Sequence, residues 1–216
     1  QLLITTLALL AFAGGCGGPL AKPIPDEMPS KEAYKGVKRY SEKKVIGAAS
    51  YQRGVVAFSK YFNIKHQEEE RDDPLYKDKY RGIPDEYFTD KKREYLAEAK
   101  KHFRKAIGQN PDFAMAHHTL GLVYIESGEY ELAIAEFREV LRIKPVADNA
   151  WVNMGHCYLR QGKLERAKEA VAGALKINPD NKPAVELRRA IEREEQRERE
   201  SKVRGDVPPF RPKLEK

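Results

Sequence analysis

Apolar residues change their rhythm several times along the chain. Residues 1–13, QLLITTLALLAFA, are uncharged and almost wholly apolar. The stretch GGPLAKPIPDEMPSK after Cys16 has no hydrophobic period and reads as an extended, disordered tether. Apolar and small residues then return at helical spacing. Val45–Phe62, VIGAASYQRGVVAFSKYF, predicts a helix, and Ala99, Phe103 and Ala106 share one face of another. Ala184, Leu187 and Ile191 form an apolar stripe in a helix predicted over Pro183–Lys202. Its later part, EREEQRERESK, is polar all round and predicts a solvated helix supported by pairs such as Glu195–Arg199. From Gly205 onward GDVPPFRPKLEK reads as a disordered tail.

The middle of the chain repeats. Pro111, Pro145 and Pro179 stand 34 residues apart, as do Gly121 and Gly155, Tyr124 and Tyr158, Gly128 and Gly162, and Ala133 and Ala167. Small residues at Gly121, Gly155, Ala133 and Ala167 allow two antiparallel helices to approach closely. Tyr124, Phe137, Trp151 and Tyr158 fill the space between neighbouring hairpins. Gly128 and Gly162 suit a left-handed turn residue, and the prolines stop the second helix of each unit.

These positions overlay the pattern W-x₂-L-G-x₂-Y…A-x₃-F…P, so the chain resembles the tetratricopeptide repeat family. The departures are His117 at the Trp position, Met154 at the Leu position, and Val140 and Val171 further on. The resemblance implies an all-α fold, a short α-solenoid closed by a C-terminal capping helix. Full repeats are expected over 114–147 and 148–181. A degenerate first repeat covers 44–113, with an insertion at about 63–90, the capping helix 182–202 and the tail 203–216. The insertion carries Pro74, Pro84 and several aromatic residues, and is expected to be a partner-binding loop or a solvated excursion.

The apolar start is too short to cross a bilayer, which takes about 20 helical residues, and it matches the core of a signal peptide. No Met or basic segment precedes it, so the chain as read is expected to begin inside the leader. Ala13-Gly14-Gly15-Cys16 follows directly and resembles the lipobox of bacterial lipoproteins, although Leu is commoner at the position of Ala13. The resemblance implies a signal peptide over 1–15, a lipid attached to Cys16, and a tether and linker over 16–43. Gly17 stands where Asp would favour inner-membrane retention, so the implied location is the outer membrane, facing the periplasm. Cys157 is then the only thiol left, and one thiol makes no internal disulfide.

Net charge is modest and not concentrated. The chain has 40 basic and 33 acidic residues, a net +7 spread along its length. Ten basic and four acidic residues lie between 17 and 65, which reads as a solvated linker or a weak attraction to anionic headgroups or peptidoglycan. No nucleic acid is expected. Hydrolase, zincin, Walker, dinucleotide and C-x-x-C motifs are absent, so no cofactor and no catalytic residue is assigned. His118 and His156 lie on the expected concave side. Their backbones should be more than roughly 10 Å apart, too far for one zinc.

In the tetratricopeptide family the concave groove binds peptides or helices. Carried over by repeat phase, one repeat presents Met115, His118, Leu122, Ile125 and Glu126. The next presents Asn149, Val152, His156, Leu159 and Arg160. Leu122 stands where members that clamp a terminal carboxylate have Asn, so such a clamp is not expected. The mixed, fairly apolar face suits an amphipathic helix or an extended segment. The expected function is a non-enzymatic, lipid-anchored scaffold for an envelope protein or peptide. In plan it is similar to lipoproteins that support pilus secretin assembly and to adaptors that tether cell-wall hydrolases. A chaperone for an apolar segment is an alternative. Another is an enzyme or carrier site among Glu68, Glu69, Glu70, Asp72 and Asp73. The pattern carries nothing on oligomeric state.

Overall fold

The computed structural model describes residues 46–76 and 78–204, with side chains as far as Ser201. The expected signal peptide, Cys16, the tether and residues 205–216 lie outside the described residues. Among the described residues there are seven helices and no strand. They are α1 (Ala48–Arg71), α2 (Asp85–Gln109), α3 (Ala114–Glu126), α4 (Tyr130–Ile143), α5 (Asp148–Arg160), α6 (Leu164–Ile177) and α7 (Lys182–Arg204). Consecutive helices pair as α1 with α2, α3 with α4 and α5 with α6, and α7 closes the array against α5 and α6. The fold is an all-α solenoid of helical hairpins.

The turns explain the period. At the ends of α3 and α5, Gly128 and Gly162 take φ of 75° and 70°. Only glycine adopts this left-handed backbone cheaply. Each turn is closed by equivalent backbone bonds: Glu129 N–H to the Tyr124 carbonyl at 2.8 Å, and Lys163 N–H to the Tyr158 carbonyl at 2.9 Å. Pro111, Pro145 and Pro179 sit between hairpins, where no helical hydrogen bond is lost.

Packing follows the same phase. Phe103 and Phe137, 34 residues apart and both fully buried, lie against Gly54 and Gly121. The third hairpin has Val171 in that place, and Leu187 of α7 fills the space beside Gly155 instead. The capping helix starts at Asn181, whose Oδ1 accepts from Ala184 N–H at 2.9 Å. The Nδ2 groups of Asn178 and Asn181 each donate to Asp148 Oδ2 at 2.9 Å, tying the start of α7 to that of α5. Buried Ala184, Leu187 and Ile191 make the capping contact. His117, at the tryptophan position, is buried and bonded at both ring nitrogens, Nδ1 to Glu136 at 2.7 Å and Nε2 to the Pro111 carbonyl at 3.0 Å.

The expected excursion at 63–90 is mostly helix. Residues 63–71 continue α1 and 85–90 begin α2, leaving 72–76 and 78–84 outside helices among the described residues. The Gly–Phe contact fixes the register. Gly54 and Phe103 are 49 residues apart where Gly121 and Phe137 are 16 apart, so the first hairpin holds 33 extra residues. Its helices run 24 and 25 residues against 13 and 14 in the second hairpin. Eleven more residues in each lengthen the hairpin by about 17 Å. This arm stands because it has its own small core of Ile64, Tyr80 and Phe88, flanked by Ile83 and Tyr95. Ion pairs bind its two helices together, Lys92 to Glu68 at 2.5 Å and Arg71 to Asp85 at 2.5 Å.

Candidate functional site

The helices α1, α3 and α5 are the first members of successive hairpins, and side chains link them across one face. Tyr51 Oη lies 3.3 Å from Thr119 Oγ1. Farther along the same two helices Tyr61 donates to Glu126, which also accepts from Lys65 Nζ at 3.2 Å. Burial and the neighbouring Glu126 push the Tyr61 phenol above its ordinary pKa, so it stays a donor. Between α3 and α5, Asn153 Nδ2 lies 3.2 Å from His118 Nε2. Burial holds His118 below its ordinary pKa. A neutral ring can accept there from the Asn153 amide.

The residues that repeat phase assigns to the face differ in exposure. Met115, His156 and Arg160 are exposed. Leu122, Ile125 and Leu159 are half-buried and lean on the core. His118, Glu126 and Asn149 are half-buried, and the first two already bridge helices. Arg160 rests over the Tyr130 ring at 5.7 Å. Local desolvation keeps His156 below the usual histidine pKa although its ring reaches solvent. Val152, expected on the face, is instead buried. It is 4% exposed and belongs to the main core, so no partner reaches it in the folded chain. Its neighbour Asn153 supplies the polar contact at the face instead.

Five contributors escaped the carried-over set: Thr119 and Asn153, 34 residues apart on α3 and α5, and Tyr51, Tyr61 and Lys65, all on α1. For those on α1 the signal available was the Gly54–Phe103 pair, offset by 33 residues from the regular spacing. Four of the five acids considered as an enzyme site, Glu68, Glu70, Asp72 and Asp73, have structural partners. Glu68 pairs with Lys92, Glu70 accepts from Tyr80 at 2.5 Å and Lys79 at 2.9 Å, and Asp73 accepts from Leu75 N–H at 2.9 Å. Among the described residues no three His, Cys, Asp or Glu side chains converge as a metal site, and no helix is long and apolar enough to cross a membrane.

A sequence profile described as tetratricopeptide repeat matches residues 124–191, and a second of the same description matches residues 92–148. The chain carries tetratricopeptide repeats. The chloroplastic tetratricopeptide repeat domain-containing protein PYG7 of Arabidopsis thaliana is 29% identical over 104 residues, 46% of this chain and 35% of that protein. DnaJ homolog subfamily C member 3 of Homo sapiens is 27% identical over 104 residues, 48% of this chain and 21% of that protein. The chain thus spans about a third or less of these curated relatives. Among solved structures, the first tetratricopeptide domain of human RPAP3 is similar with a TM-score of 0.47 at 19% identity, over 51% of this chain and 87% of that one. The first such domain of Spaghetti, bound to the HSP90 peptide SRMEEVD, gives a TM-score of 0.44 at 16% identity, over 62% and 91%.

Proposed function

We propose that the chain is a non-enzymatic scaffold that holds a segment of another protein against the face of α1, α3 and α5. The observation that carries this reading is the bridged row itself. Side-chain bonds run from Tyr51 and Tyr61 through Thr119 and Glu126, and from His118 to Asn153, joining three tetratricopeptide hairpins. Met115, Leu122, His156 and Arg160 project beside it as apolar and hydrogen-bonding groups on a fixed frame. Such a frame loses little conformational entropy when a segment docks.

We further propose that the scaffold is a lipoprotein, acylated at Cys16 and held in the bacterial outer membrane facing the periplasm, where it serves the assembly of an envelope machine. The apolar run 1–13, the Ala-Gly-Gly-Cys sequence and Gly17 support this. Each lipid CH₂ contributes about 0.8 kcal/mol, so two or more chains anchor firmly. A fatty-acid probe should label the chain and fail to label Cys16→Ala. Equal labelling of both would remove the lipid assignment.

The groove is tested with a photocrosslinker placed at Met115 or at the outward, 76% exposed Val146. The protein captured at Met115 is then purified and titrated against Leu122→Glu and His156→Glu, each checked for helicity. Both should weaken binding. If neither does, while shortening the arm between Gln67 and Phe88 abolishes binding, the arm is the site and the groove reading fails.

A further inference from the structure

The longest of the described helices, α2, carries a self-complementary face. Seven-residue steps along α2 pass through Tyr87, Glu94, Lys101 and Gly108, and Asp90, Ala97 and Lys105 lie within the same narrow stripe. All seven are exposed. The helix meets α1 and α3 through other positions, such as Phe88, Leu96, Ala99, Phe103 and Ala106. Charge along the stripe is graded. Asp90 and Glu94 lie toward the N-terminal half, Lys101 and Lys105 toward the C-terminal half, and the small Ala97 sits between them. Among the described residues Lys101 and Lys105 have no hydrogen-bond or ion-pair partner. Tyr87 is 43% exposed at one end, and a Cβ added at Gly108 at the other end would meet nothing within 4 Å.

We propose that this face of α2 docks antiparallel on the same face of a second copy of the chain. Residue i then lies opposite residue 195 − i of the partner copy. Each Asp90 faces a Lys105, each Glu94 faces a Lys101, and each Tyr87 ring lies over the open backbone at Gly108. All of these contacts occur twice about the two-fold axis, as an isologous interface requires. Ala97 beside the axis lets the helices approach to about 8–10 Å. A parallel pairing would set like charges against each other. The contact runs about 32 Å along the helix. It is lean in apolar area, so the dimer is weak and held by charge, and salt screens it. The pairs Glu94–Lys91 at 2.7 Å and Asp90–Arg93 at 3.6 Å are exposed and exchange at little cost.

The test uses the full chain with Cys16→Ser, leaving Cys157, which is buried. Sedimentation velocity should show a dimer at about 0.01 M salt that dissociates at about 1 M. Ala97→Cys should oxidise to a disulfide-linked dimer under the low-salt condition. Lys101→Glu with Lys105→Glu should weaken association by about tenfold or more and suppress that crosslink. Adding Asp90→Lys and Glu94→Lys to the same chain should restore both. The proposal is overturned by a monomer at low salt. A dimer in which the Ala97→Cys chain fails to crosslink, or one indifferent to the charge reversal, overturns it too. Circular dichroism shows each variant folded, and these surface positions leave the core untouched.

Discussion

Gly121 and Gly155 hold the same place in successive hairpins, and the same substitution should affect them differently. A Cβ on Gly121 would lie 2.7 Å from Cε1 and Cζ of Phe137, a ring with no exposure. A Cβ on Gly155 would lie 2.8 Å from the Cδ2 methyl of Leu187 and 3.5 Å from Ala170 Cβ. Alanine gains about 0.8–1 kcal/mol of helical preference over glycine at either site. At Gly121 the obstacle is a rigid ring sealed on all sides, and overpacking of that kind costs about 1–3 kcal/mol. Gly121→Ala should therefore destabilise by up to about 2 kcal/mol. At Gly155 the obstacle is the end of a flexible side chain, so Gly155→Ala should stay within about 0.5 kcal/mol of the parent. In thermal unfolding a chain of this size shifts about 2–4 °C per kcal/mol. Phe137→Leu should absorb the Gly121→Ala penalty, so a double-mutant cycle of the two should show coupling. A Gly121→Ala protein as stable as Gly155→Ala, or a cycle without coupling, would refute the close glycine–ring contact.

His117 supplies a pH dependence with a definite sign. Burial disfavours its charge, yet the Glu136 carboxylate and the Pro111 carbonyl raise its pKa above 6.5 on balance. A raised folded pKa stabilises fully below 6.5 and loses that contribution as pH rises through the folded value. His118 and His156, lowered by burial, act the other way and lose stability as pH falls below 6.5. Urea unfolding of His117→Phe across pH 5–9 should therefore lack the alkaline decline of the parent, and a parallel curve would contradict the charged-ring assignment. Cys157 is buried and its thiol is pushed up to about 12, chiefly by that burial. In the Cys16→Ser chain a thiol reagent at neutral pH should label it only at the rate of unfolding, and immediate labelling of the native protein would show the packing around α5 to be open.

Much of the fold is legible because a 34-residue period records contacts twice. Gly121 and Gly155, Tyr124 and Tyr158, and the turn glycines each check one another, and the capping stripe Ala184, Leu187, Ile191 follows simple helical phase. The candidate site is legible less evenly. Phase names a helix position, but burial depends on what the neighbouring helix places over it. Repeat phase puts Leu122 and Val152 alike on the face; the first is half-buried and the second is core. The arm is illegible for another reason. Its extra residues are rich in charge, and charge density alone does not separate a solvated loop from two helices whose charges pair across the gap, as Lys92 does with Glu68 and Arg71 with Asp85.

The end of the array is written as a set of matched departures from the period. Arg104 donates to Tyr124 Oη from Nη2 at 2.7 Å and from Nε at 3.0 Å, and Arg138 donates to Tyr158 Oη at 3.1 Å. Both arginines and both tyrosines are 34 residues apart, so each outer helix grips the next hairpin through one cation and one phenol. The next members would be residues 172 and 192, and they are Ala172 and Glu192. Among the described residues the grip stops at the step to α7. At the same step Val171 replaces the phenylalanine of the series, which leaves room for Leu187 beside Gly155. A hairpin that kept Phe at 171 would crowd Leu187, and a capping helix with Tyr at 192 would offer a phenol with no arginine to meet it. Among the described residues the third hairpin thus meets α7 through Leu187 beside Gly155 and not through an arginine–tyrosine pair, which ties the change of packing at this step to particular side chains.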